Sequence, residues 1–202
     1  MRIGRTSSLL QYNQLLAVSF NGDRNTISVL LKRLAHVCHI PIGFEAATEA
    51  LSRPLTNGAG ALRISVKKGT VKDVLDAIIS ADPTYTWQET AGVINVLPRE
   101  RVDALPDVVI KKFEVNEIGL GEALRRVLRT REIERWTART STQERSFASL
   151  AFGDSDNRTI SLSLMHENVR TVVNRIMKAG GGWYWAYFLY GRSNCLFSLT
   201  MS

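Results

Sequence analysis

Only two cysteines, three histidines and five prolines occur among the 202 residues, and each shortage excludes something. Cys38 and Cys195 are too few for a disulfide-stapled scaffold and stand in no metal-ligand spacing. Cys38 falls on the apolar side of an expected helix, and Cys195 is in phase with Phe197 and Leu199 on the last expected strand, so both look inward. Buried free thiols are the expectation, with a disulfide between them as the alternative. No apolar run approaches the roughly 18 residues of a membrane-spanning helix. The opening residues carry Arg2 and Arg5, but Gln11, Asn13 and Gln14 interrupt the leucines, so no signal peptide is expected there. Nor does one region hold the excess charge: the net +7 divides into +3 over residues 1–100 and +4 over 101–202. That balance permits attraction to nucleic acid, anionic lipid or an acidic protein surface and demands none of them.

The scarcity of histidine thins out the available chemistry. His36, Cys38 and His39 form the one close group of metal-type ligands, yet a helix turns His36 and Cys38 about 200° apart and His166 is remote in sequence. With Cys38 pointing to the core and His39 off the apolar stripe, a Cys–His nucleophile fares no better. Gly58-Ala59-Gly60 and Gly119-Leu120-Gly121 echo phosphate loops, but Leu62 and Leu124 stand near where later glycines or a lysine belong. No catalytic residue, cofactor or metal is therefore expected, and the chain reads as a non-enzyme.

What is present is a globular composition, 45% hydrophobic and 22% charged, long enough for one domain or two of about 90 residues. The clearest stretch is 63–98. Ile64 and Val66 alternate with Ser65 and Lys67 as on a half-buried strand. Thr70 with Asp73 resembles a capping box for a helix whose apolar face is Val71, Val74, Leu75, Ile78 and Ile79. Asp82-Pro83 ends that helix, and Tyr85 and Trp87 share one side of the next strand. Ala91-Gly92 makes a turn, and 93–97 pairs back as a hairpin. Upstream, 15–20 reads as a strand, Ile27, Leu30, Leu31, Leu34 and Cys38 as one helical stripe, and 40–44 as a short strand, with Pro41 at an edge or near its start.

The order then repeats. A shift of 93 residues puts Phe20 on Phe113, Ile27 on Leu120, Leu31 on Leu124 and Leu34 on Val127. A shift of 98 puts Val71 on Val169, Val74 on Val172, Ile78 on Ile176 and Trp87 on Trp185. The five-residue difference is an insertion between the first helix and third strand of the second copy, where loops accept extra residues.

In Val18-Ser19-Phe20 through Leu34, in Ile42-Gly43-Phe44 and above all in the stretch from Ile64 to Val96, the pattern resembles the short N-terminal domain shared by secretins and TonB-dependent outer-membrane receptors, here in tandem. The resemblance covers 15–98 well and 108–201 more loosely. It implies an α+β fold of two small β-α-β/β-α-β-β modules with helices packed on small mixed sheets. It further implies a non-catalytic, periplasmic or cell-envelope module that docks on a protein partner. The expected organisation is a tail at 1–14, a first module at 15–98, a linker at 99–107, and a second module at 108–202 with a loop insertion at about 134–159.

Two surfaces are candidates for function. Trp183, Tyr184, Trp185, Tyr187, Phe188 and Tyr190 form the densest aromatic cluster, and strand alternation sends them to both faces. Two apolar faces exceed what so small a sheet needs for its core, so one is expected to dock, either between the repeats or on a partner. Arg125, Arg126, Arg129, Arg131, Arg135 and Arg139, with Trp136 among them and Arg145 beyond, are either a solvated helix face or a basic patch. A patch would suit an acidic peptide or nucleic acid, and nucleic-acid binding through 125–145 is the alternative function.

Overall fold

The computed structural model describes residues 16–22, 26–46, 62–100, 104–140, 158–190 and 194–200. The expected tail, Gly58-Ala59-Gly60 and Arg145 lie outside these residues. In the first copy the order is β1 (Leu16–Gly22), α1 (Thr26–Cys38), β2 (Ile42–Glu45), β3 (Leu62–Gly69), α2 (Val71–Ala81), β4 (Tyr85–Thr90) and β5 (Val93–Pro98). A 3-10 turn (Leu105–Asp107) leads into β6 (Val109–Gly119), α3 (Leu120–Leu128), α4 (Arg131–Thr140), β7 (Thr159–Asn168), α5 (Val169–Ala179), β8 (Tyr184–Tyr190) and β9 (Asn194–Thr200). The fold is mixed α+β, with helices packed on small sheets.

Local chemistry sets the boundaries. At α2 the Thr70 hydroxyl accepts from the Asp73 N–H while the Asp73 carboxylate accepts from the Thr70 N–H at 2.6 Å, satisfying two donors that a helix start leaves free. Asn168 caps α5 in the same position, its Oδ1 accepting from the Thr171 N–H at 2.8 Å. The β4–β5 turn has Ala91 and Gly92 both at positive φ, 56° and 75°, which is the twist a two-residue hairpin needs and one that glycine adopts without strain.

The two copies share their main sheet. Its order is β4-β5-β2-β8-β9, with β2 parallel to β5 on one side and to β8 on the other. Ribbons β1–β3 and β6–β7 are separate antiparallel pairs. Helices α1 and α2 cover one face of the sheet through Ile27, Leu31, Val74 and Ile78, which meet Ile42, Phe44, Ile94 and Val96. Helices α3 and α5 cover the other face through Leu124, Val172 and Ile176, which meet Val93, Trp185 and Tyr187. The segment expected as a linker is partly packed, since Leu105 belongs to this second core.

The second copy has no counterpart of β2 among the described residues. The shift of 93 carries Ile42–Glu45 onto 135–138, which lie within α4. The expectation of a loop from about 134 is thus corrected: the chain stays helical to Thr140, because Ile133 and Trp136, three residues apart, bury one side of α4 against the second core.

Candidate functional site

Of the aromatic strand, Tyr184, Trp185 and Tyr187 are interior and pack between the two copies, the intramolecular one of the two docking alternatives. Trp185 is 0% exposed and Tyr184 and Tyr187 are each 3% exposed. Tyr184 and Ala186 enter the core under α1, while Trp185 and Tyr187 enter the core under α5. The premise that so small a sheet cannot use both faces fails, because the helices of the two copies sandwich it. The Tyr184 hydroxyl and Ser28 Oγ share a hydrogen bond of 2.7 Å, and burial pushes the phenol well above its ordinary pKa. Trp183 is half-buried at the margin, its ring 4.9 Å from that of His39. The side chains of Phe188, Tyr190 and Cys195 lie outside the described residues.

Polar groups buried between the copies hold them in register. Arg170 on α5 donates through Nε and Nη2 to the two carboxylate oxygens of Glu45 on β2, the latter at 2.9 Å, and its Nη2 also lies 2.7 Å from Asp107 Oδ1. Burial works against the guanidinium's charge, but Glu45 and then Asp107 hold its pKa above the ordinary value. Asn174 on α5 donates to the Thr90 carbonyl at 3.2 Å and accepts from the Trp185 indole at 2.8 Å. That indole lies over Gly43 of β2, where a Cβ would stand 2.5 Å from its Nε1. No side chain larger than hydrogen fits there without displacement.

The metal-type residues near the end of α1 do not converge. Cys38 is buried, with burial pushing its thiol upward, whereas His36 and His39 are exposed with ring centres 6.4 Å apart. Among the described residues no three His, Cys, Asp or Glu side chains gather.

The arginine segment divides in two. Arg125 and Arg126 on α3 turn toward Glu122, at 2.9 and 3.5 Å, and all three are solvated. Arg129, Arg131, Arg135 and Arg139 are exposed along the end of α3 and the length of α4. Trp136 does not interleave with them as a stacking platform: it is 5% exposed and packs beneath them. Beside it lies a groove of about 710 Å³ between α4 and the entry to β6, lined by Ala104, Val108, Val109, Trp136 and Ala138, with Asp107, Glu132, Arg135 and Arg139 at its polar margin. Asp107 is engaged by Arg170, and of the remaining charged groups lining the groove Arg135 and Arg139, one helical turn apart, are positive and Glu132 negative. The sequence groups Arg135, Trp136 and Arg139 but not the apolar wall from 104–109, which only the packing of α4 supplies.

No family model and no curated protein matches this chain.

Proposed function

We propose that this chain is a non-catalytic protein-interaction module that receives an acidic, partly apolar peptide segment of a partner in the groove beside α4. The supporting observation is the pairing of an apolar floor, formed by Trp136, Val108 and Val109, with Arg135 and Arg139 at the rim. Apolar burial supplies affinity to such a groove, and guanidinium–carboxylate pairs supply orientation. A cell-envelope assembly as the setting rests on the resemblance to tandem short N-terminal domains.

The test is fluorescence anisotropy with a labelled ten-residue peptide alternating Glu and Leu. Arg135→Gln with Arg139→Gln is expected to weaken binding by about tenfold or more at unchanged melting temperature. Equal binding of the double variant, or of a peptide with Gln for Glu, would remove the proposal.

A second reading is favoured by the line of Arg129, Arg131, Arg135 and Arg139, all exposed: nucleic-acid binding along 125–145. Each phosphate contact would release counterions, so affinity for a DNA duplex would fall steeply with salt. The burial of Trp136 withdraws the base-stacking contribution from it.

A further inference from the structure

The repeat makes a second binding surface legible. In the second copy, the inner side of β8 accepts a parallel strand: β2 donates its Ile42 N–H to the Trp183 carbonyl and its Ala46 N–H to the Tyr187 carbonyl, both at 2.8 Å. The shift of 98 that relates the copies carries Trp185 and Tyr187 onto Trp87 and Glu89 of β4. Yet β4 ends the sheet, and among the described residues no strand pairs with its outer side. Among the described residues, the edge equivalent to one filled inside the molecule is therefore unpaired.

Its backbone is aimed correctly. Thr90 and Val93 close the two-residue hairpin, and the Arg99 N–H donates to the Thr84 carbonyl at 2.8 Å, so Thr84, Thr86, Gln88 and Thr90 turn their peptide groups to β5. Trp87 and Glu89 consequently turn theirs outward, as their counterparts Trp185 and Tyr187 do toward β2. The side-chain seat is also repeated. Trp87 Nε1 donates to Asp76 Oδ1 at 2.9 Å just as Trp185 Nε1 donates to Asn174, so both indoles are fixed by the helix of their own copy. Beneath Trp185 that seat holds Gly43 of β2. Of the usual guards of an exposed edge, β4 carries one charge, Glu89, but neither Pro nor Lys, and it pairs with β5 without a bulge.

We propose that the outer edge of β4 accepts an extended segment of a partner protein, added parallel to the strand with a glycine beside Trp87. The inference rests on the reading of the chain as a protein-interaction module, at a site separate from the α4 groove. Backbone hydrogen bonds would supply most of the affinity, and the indole would select the glycine.

The probe is a labelled peptide with the sequence of residues 39–46, His-Ile-Pro-Ile-Gly-Phe-Glu-Ala, titrated against the full chain. Saturable binding is expected. Glu89→Pro removes an outward N–H at a position where edge strands tolerate proline, and it also removes a carboxylate that the register sets beside the peptide's own glutamate. Compared with Glu89→Gln, which removes the charge alone, it should weaken binding by about tenfold or more. A peptide carrying Gly43→Val should lose binding to the same extent against the unaltered protein, which keeps the test independent of how Glu89→Pro folds. Arg135→Gln with Arg139→Gln should leave it unchanged. No saturable binding, equal binding of the valine peptide, or indifference to Glu89→Pro in a folded variant overturns the proposal. Failure of the Glu–Leu peptide alone would remove the groove and leave the β4 edge standing.

Discussion

The indole N–H of Trp185 donates to Asn174 Oδ1 at 2.8 Å, and 98 residues upstream the indole of Trp87 makes the same bond to Asp76 Oδ1 at 2.9 Å. The acceptor differs because its surroundings differ. Asp76 lies at the surface, where Lys72 Nζ binds its other oxygen at 2.5 Å; that bond first, and the indole bond after it, hold the carboxyl below its usual pKa. Asn174 is fully buried between the copies, where a neutral amide avoids the cost of a buried charge and its spare N–H reaches the Thr90 carbonyl.

Asn174→Ala should therefore destabilise by about 1–3 kcal/mol, because it removes the acceptor of a buried indole N–H, whereas Asp76→Ala should cost about 1 kcal/mol or less. Urea unfolding midpoints at constant slope measure both. Equal costs would mean that burial does not govern this pair.

Gly43→Ala brings a methyl against the Trp185 ring in a packed sheet centre, and overpacking of this kind costs about 1–3 kcal/mol. The near-ultraviolet tryptophan circular dichroism should change with it. A variant as stable as the parent, with an unaltered spectrum, would contradict the contact.

Arg170→Met leaves Glu45 as a buried charge without its bidentate partner and should cost about 3–5 kcal/mol. Adding Glu45→Leu should recover most of that loss, since the penalty is a buried carboxylate deprived of its bidentate arginine rather than a missing attraction. A double variant no better than the single one would refute this account of the bridge.

For acid stability the sign follows from Asp73. Its bonds from the Thr70 N–H and then the Thr70 hydroxyl hold its folded pKa below the ordinary value of 3.8. Its contribution is present above about that value and is lost as pH falls through the lower folded one. Thermal melts from about pH 5 down to pH 2 should show the parent losing more than Asp73→Asn. Parallel curves would rule out the capping carboxylate.

Much of this architecture was legible wherever the signal is local. Thr70 and Asp73 marked the start of α2, Ala91-Gly92 marked the hairpin, and the shift of 98 matches the bounds of α2 and α5 at both ends. What sequence reading missed depends on partners far along the chain. Alternation sorts the side chains of β8 onto two faces, but that α1 covers Tyr184 while α5 covers Trp185 is a property of the assembled sandwich. A hint was there: VINVLP and YWAYFLY are near-continuous apolar runs, as expected of strands buried on both sides. Helix α4 escaped notice because Ile133 and Trp136 alone carry its buried stripe among charged neighbours. The groove escaped with it.

Strand β2 also sets the order in which the molecule can be completed. Three of its four residues pair with β5 on one side and all four with β8 on the other, so the first core stays open along one flank until the chain has been made as far as Tyr187. A ribosome releasing the first copy alone exposes Ile42–Glu45 as an unpaired edge, with Glu45 still lacking the arginine that neutralises it. Final closure is then a long-range event that joins segments synthesised far apart, the kind of step that slows folding and leaves a strand edge open to the wrong neighbour meanwhile.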